Sequence, residues 1–214
     1  RLGRQAFEAR ATAFALGNSG AGFGAQAGQL KGGLGSASTM LDADVCVGAL
    51  LAVNPVGAVC DANGTFWVQH LALDHEGAPE FGRADVPAPQ AGASHPLAAS
   101  KLAGLATSAN TTIGVVAVAA DLTPAECQRV AIMAQDGLAR AIRPVHTPFD
   151  GDTIFVLATG SKPLARAAEM RPLALTVLGA LAADCVARAI ARAVWFADDT
   201  SFASAYRSRF PKAE

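Results

Sequence analysis

The sequence lacks an excess of charge of either sign. Its 17 lysines and arginines nearly match its 18 aspartates and glutamates, for a formal net charge of −1. A nucleic-acid binder usually shows a basic surplus, and none exists here. Cysteine is scarce as well. Cys46, Cys60, Cys127 and Cys185 form no CxxC pair and are too few for a disulfide scaffold. They read as four buried thiols in a reducing compartment, so a cytoplasmic location is expected. There is no long unbroken apolar run. The most apolar stretch, 173–197, is interrupted by Asp184, Arg188 and Arg192, so no membrane span is expected. Those three residues follow one another at helical spacing on one face. Asp184 precedes Arg188 in the favourable order, so the stretch reads as a buried helix with one wet stripe. No internal repeat is visible. Arg1 is followed by no charged-then-apolar leader, and the start reads as a fragment boundary or processing point.

Small residues are what the chain has in quantity: 49 alanines and 21 glycines among 214 residues, 51% of them apolar. That length can bury one sizeable core, and the apolar fraction excludes a disordered chain. Residues 4–16 read as a helix ended by Gly17-Asn18. The glycine-rich run 17–38 reads as irregular backbone that needs positive φ or close approach. A buried strand is predicted over 43–53, an edge strand over 65–73, and a long proline-containing loop over 74–110. Strands over 112–120 and 153–158 then alternate with two helices. The first helix opens at Thr123-Pro124-Ala125-Glu126, a capping-box sequence with proline in the first turn. Strands apolar on both faces suggest a sheet covered by helices.

Most candidate motifs are incomplete. Gly20-Ala21-Gly22-Phe23-Gly24 is not a dinucleotide fingerprint, and no P-loop is present, so the run reads as a tight loop framing a pocket. His70, Asp74 and His75 lie close together without a metal-ligand pattern and read as surface residues. Ser19 lacks a nucleophile elbow, because Ala21 stands where the second glycine belongs. His146, between Pro144 and Pro148, reads either as a general base or as a structural loop residue. Asn110-Thr111-Thr112 marks the junction of the long loop with a buried strand, and Asp150-Gly151-Asp152 stands just before another. In extended backbone, residues i and i+2 share a side, so both aspartates can face one pocket. A hydroxyl beside paired carboxylates suits acyl transfer. The same Asp-Gly sequence is ordinary turn chemistry, and spacing alone leaves both readings open.

Several segments match one family in the same order: GNSGAGFGA at 17–25, KGGLGSAS at 31–38, VGALLAVNPVG at 47–57, NTTIGVVA at 110–117 and DGLARAIRPVHTPFDGDTIFVLATG at 136–160. Together they resemble the DmpA-type peptidases, the L-aminopeptidase/D-esterase-like hydrolases with an N-terminal nucleophile. The nylon-oligomer hydrolases of that family look nearest, because the chain has a threonine after Asn110 and DGD in place of a Ser-x-Glu pair. The resemblance implies an α+β fold, a four-layer αββα sandwich, incomplete here at the N-terminus. By the same resemblance, family members carry a preceding segment that helps line the substrate pocket, and the given chain is expected to lack it. Autocleavage between Asn110 and Thr111 is implied, giving an α piece of 1–110 and a β piece of 111–214 that together make one domain. Thr111 is the implied nucleophile, Asp150 and Asp152 hold and tune it, Asn54 donates to the oxyanion, and Lys31 lies at the same pocket. Against these stand plainer roles, a turn for Asn54 before Pro55 and an exposed loop for Lys31. The implied substrate is a short amide oligomer or peptide, with no cofactor and no metal, no nucleic-acid or membrane partner, and a tetramer of processed units. The alternative within the family is an aminopeptidase/D-esterase or β-aminopeptidase, and beside hydrolysis two more stay open: an acyltransferase with an N-terminal threonine, and an inactive fragment.

Overall fold

The computed structural model describes residues 1–41, 44–75, 78–83, 86–89, 95, 97–104, 110–165 and 167–211. The helices are α1 (Leu2–Glu8), α2 (Pro124–Ala141), α3 (Arg171–Trp195) and α4 (Tyr206–Arg209). The strands are β1 (Gln26–Ala27), β2 (Leu30–Lys31), β3 (Gly33–Leu41), β4 (Val45–Val53), β5 (Asp74–His75), β6 (Ala78–Pro79), β7 (Ile113–Ala120) and β8 (Thr153–Lys162). The main sheet has the order β3-β4-β7-β8. Its first three strands pair antiparallel, and β7 pairs parallel with β8.

One face of this sheet is the core. Val47, Ala49, Leu51 and Val53 of β4 alternate inward and meet Val116 and Val118 of β7. The helices α2 and α3 lie across that face, with Leu138, Val186 and Ile190 fully buried. Small residues set how close the layers come. A Cβ on Gly35 would sit 1.9 Å from the Ala189 carbonyl oxygen of α3, and one on Gly137 would sit 2.3 Å from that of Ala183. The glycines at these positions are therefore packing residues, where any side chain would force helix from sheet or helix from helix. The opposite face is open and apolar, carrying Leu50, Ile113, Val115, Phe155 and Leu157.

Several expectations need correction. Part of the glycine-rich run is the edge strand β3, which lacks the β-branched signature of a strand because α3 presses directly on it. The first helix stops at Glu8. Residues 65–73 form no strand: Phe66 makes a single bridge to Cys60, and Gln69–Leu71 is a short 3₁₀ turn. The strands are not covered on both faces; helices cover one, as the alternating burial of β4 and β7 records. Of the long loop, the described parts hold the small β5–β6 pair and a 3₁₀ turn at Lys101–Gly104, and the remainder lies outside the described residues. Cys46 is exposed and Cys127 only partly covered, so two of the four thiols are not buried.

The capping box of α2 forms as read. The Thr123 hydroxyl accepts from the Glu126 N–H, and the Glu126 carboxylate accepts from the Thr123 N–H. Arg171 completes it, and its hydrogen bonds bring the Glu126 carboxyl down to about 2. The long helix α3 is apolar enough by length and composition to cross a bilayer, yet it packs on the sheet. Its charged stripe is wet at Asp184 and dry at Arg188. Arg188 is buried and donates to Glu80 and to the Ser38 carbonyl, Arg192 donates to the same Glu80, and Asp184 pairs with Arg140 of α2. Residues remote in sequence supplied better partners than the neighbouring turn.

Candidate active site

Two tripeptides meet where β7 and β8 begin. Parallel strands start at the same end of a sheet, and the ladder that places Ile113 opposite Thr153 continues upstream of both. Asn110 bridges Asp150, the Gly151 N–H donates to the Asn110 carbonyl at 3.1 Å, and the Thr153 N–H donates to the Thr112 carbonyl at 3.0 Å. On the other side of β7 lies the end of β4, where the Asn54 carbonyl accepts the Thr111 N–H at 3.0 Å. The Asn110–Thr111 peptide is thus held from both neighbouring strands. The Thr111 hydroxyl is partly buried and hydrogen-bonds back to the carbonyl oxygen of Asn110.

Each aspartate accepts its own set of backbone donors. Asp150 Oδ1 accepts from the Val56 N–H at 3.0 Å, and its Oδ2 accepts from the Thr147 N–H at 3.1 Å and hydroxyl at 2.6 Å. Asp152 Oδ1 accepts the Thr112 N–H at 2.8 Å, and its Oδ2 lies 2.9 Å from His146 Nδ1. Asp152 is buried while His146 is about one-third exposed (side-chain accessibilities of 2% and 37%). The two carboxylates therefore flank the junction: Asp150 ties it to the loop after β4, and Asp152 holds the amide just past Thr111. His146 reaches an aspartate rather than a hydroxyl. Gly151 between them clears room for the Thr111 hydroxyl, since a Cβ there would stand 2.8 Å from Thr111 Oγ1.

Asn54 is oriented by its surroundings. Its Oδ1 accepts from the Gln26 N–H at 3.0 Å and from Lys101 Nζ at 2.9 Å, which makes Nδ2 the donating end of the amide. Lys31 is fully buried, but its ammonium donates to the carbonyls of Gly22, Ala25 and Gly32 at 2.7, 3.0 and 2.8 Å. Burial brings it down to about 8. The loop it ties together carries Gln26, so Lys31 stands behind Asn54 and its contacts do not reach Thr111. It is not an exposed loop lysine. His70 and Asp74 are exposed, and Ser19 lies in the loop before β1.

Sequence reasoning missed Lys101. It is buried at 8% exposure, and its Nζ donates to Asn110 Oδ1 at 2.8 Å as well as to Asn54. Burial lowers it to about 8, against the attraction of Asp150. A lysine inside a loop of alanine, glycine and serine carries no periodic signal. Its isolation as the lone charge between His95 and Asp121 was the available clue.

The chain shares its fold with aminopeptidases of the Ntn-hydrolase type. It aligns with a β-aminopeptidase from a Burkholderia species at a TM-score of 0.61 and 22% identity, over 99% of this chain and 59% of that one. It aligns with the L-aminopeptidase D-Ala-esterase/amidase of Ochrobactrum anthropi at a TM-score of 0.63 and 22% identity, over 96% of this chain and 54% of that one. The latter is described as a new variant among the Ntn hydrolase fold. The chain belongs to peptidase family S58, which its residues 3–207 match. An uncharacterised aminopeptidase of Mycobacterium tuberculosis is 45% identical over 99% of this chain. A 6-aminohexanoate-oligomer endohydrolase of a Kocuria species is 31% identical over 74% of this chain and 44% of its own length. The chain spans 62% of the length of the mycobacterial relative.

Proposed function

We propose that the protein is a self-processing amide-bond hydrolase with Thr111 as nucleophile. The observation that carries this reading is the Thr111 hydroxyl lying against the carbonyl of the residue before it, in a peptide held by two strands. In self-processing, Thr111 Oγ bonds to the Asn110 carbonyl carbon, the C–N bond breaks, and the hydroxyl proton passes to the departing nitrogen. Water then splits the ester, leaving a carboxylate on Asn110 and a free α-amine on Thr111. The products are pieces 1–110 and 111–214, still one domain.

The new amine makes the site a general hydrolase. An α-amine has an ordinary pKa of about 8 and accepts the hydroxyl proton near neutral pH. Asn54, whose carbonyl holds the Thr111 N–H in the uncut chain, keeps that nitrogen in place. Its Nδ2 donates to the oxyanion, a kind of donor that supplies about 3–4 kcal/mol of transition-state stabilisation. Asp152 and Asp150 fix the backbone on either side of the nucleophile through the amides of Thr112 and Val56. Lys31 shapes the loop that carries Gln26 to Asn54. No step calls for a metal or a cofactor.

The substrate class is peptides or other short linear amides. The more similar relative is named an aminopeptidase, which favours peptides. The more distant relative is named for 6-aminohexanoate oligomers, which keeps such oligomers as a second reading. Processed units assembling as tetramers complete the proposal. Mass spectrometry of the full-length protein tests the reading directly. Two fragments are expected with threonine at one new terminus, and Thr111→Ala is expected to stay whole. An uncut wild type, or a Thr111→Ala variant that is cut at the same place, overturns it.

A further inference from the structure

Lysine is seldom buried without a carboxylate partner, because removing an ammonium from water is costly. Lys101 is buried, and although Asp150 attracts it, its hydrogen bonds go to uncharged oxygens: Asn110 Oδ1 at 2.8 Å, Asn54 Oδ1 at 2.9 Å and the Asn54 carbonyl at 3.3 Å. These acceptors stand on the two sides of one peptide bond. Asn110 contributes the carbonyl next to the Thr111 hydroxyl, and the Asn54 carbonyl also accepts the Thr111 N–H. Lys101 itself is anchored, since its N–H donates to the Val56 carbonyl at 3.0 Å and the Val56 N–H binds Asp150.

We propose that Lys101 is a positioning residue for self-cleavage, a cationic clamp on the Asn110 side chain that holds the scissile carbonyl at the Thr111 hydroxyl. The inference rests on the self-processing reading above and extends it to a residue outside the matched motifs. The clamp restrains rotation of Asn110 about its own backbone. It adds a side-chain restraint to a peptide whose backbone two strands already hold, and fixed reacting geometry is where much of an intramolecular rate arises. The role belongs to the precursor. Once the bond is cut, Asn110 is a chain end, and its side chain no longer has a carbonyl to position.

The test follows cleavage of newly made full-length protein over time by mass spectrometry. Lys101→Met is expected to slow cleavage at least about tenfold, the range of a lost hydrogen bond to a charged group. Asn110→Leu, which removes the acceptor, is expected to slow it as much. Asn110→Asp keeps an acceptor and is expected to cleave within about threefold of wild type, a change worth under 1 kcal/mol at the barrier. The double variant Lys101→Met with Asn110→Leu is expected to be no slower than either single one, because both remove the same contact. Cleavage of Lys101→Met at the wild-type rate, or single effects that multiply in the double variant, overturns the clamp. If Lys101→Met fails to fold, the Asn110 pair decides alone: equal rates for Leu and Asp overturn it. A wild type that stays whole overturns self-processing and the clamp together, whereas a normally cut wild type with unaffected variants overturns the clamp only.

Discussion

Replacing Gly151 with alanine sets one methyl group against the proposed nucleophile. The added Cβ would lie 2.8 Å from Thr111 Oγ1, 3.6 Å from its Cγ2 and 3.8 Å from its Cβ. Ordinary contact starts at about 3.5 Å, so the hydroxyl alone must retreat, by roughly 0.7 Å. A reacting atom misplaced by about 1 Å costs on the order of a hundredfold in rate. Gly151→Ala is therefore expected to slow cleavage at Asn110–Thr111 by about 10- to 100-fold, or about 1.4–2.7 kcal/mol. Stability should hardly change. Gly151 is exposed and its φ is not in the left-handed region, so alanine fits the backbone. In an uncleavable Thr111→Ala background, the melting temperature is expected to shift by less than about 2 °C. Fragment yield against time supplies the rate, and a thermal melt supplies the control. Wild-type cleavage by Gly151→Ala would refute the geometric argument. A melting temperature lowered by about 6 °C or more would show that Gly151 matters for the fold instead.

Two further outcomes follow from buried charge. Lys31 has a folded pKa of about 8 against the ordinary 10.5, so between those values the unfolded chain binds more protons and stability rises with pH. The rise amounts to about 3 kcal/mol. Lys31→Met lacks it, so the urea midpoint of wild type should rise relative to that of the variant from pH 8 to pH 10.5, and an unchanged difference would exclude the lowered pKa. Glu80 accepts from Arg188 at 2.5 and 3.0 Å and from Arg192 at 2.7 Å. Burial pushes its carboxyl up, but those hydrogen bonds outweigh burial and hold it below the usual range. Glu80→Gln leaves Arg188 buried without its counter-charge and should cost about 3 kcal/mol in a denaturant titration, with a loss under about 1 kcal/mol counting against the network.

Legibility differed by element. The capping box announced α2, because its hydrogen bonds join residues three apart and need nothing from the rest of the molecule. The strands β4 and β7 and the helix α3 were visible as apolar runs. The strand β3 was hidden in glycine, since its composition answers to the helix lying on it rather than to strand propensity. The charged stripe of α3 misled for a related reason. Local spacing favoured Asp184 with Arg188, while the fold delivered Arg140 to the first and Glu80 to the second. In the candidate site, Asn110, Thr111, Asp150, Asp152 and Asn54 were readable as a group from matched motifs. Lys101 was not, because its partners lie in segments that meet only after folding.

The sequence by itself determined the class of the protein and the junction at which its chemistry is proposed. Ordered motifs survive in the linear text, where residues that act together can be read off without the fold. The tertiary structure decided which groups each motif touches. It turned Asp150 and Asp152 to separate backbone amides, set Lys31 among carbonyls behind Asn54, and brought Lys101 onto Asn110. The physical reason is that hydrogen bonds act over about 3 Å, and only folding brings residues from distant parts of the chain within that reach.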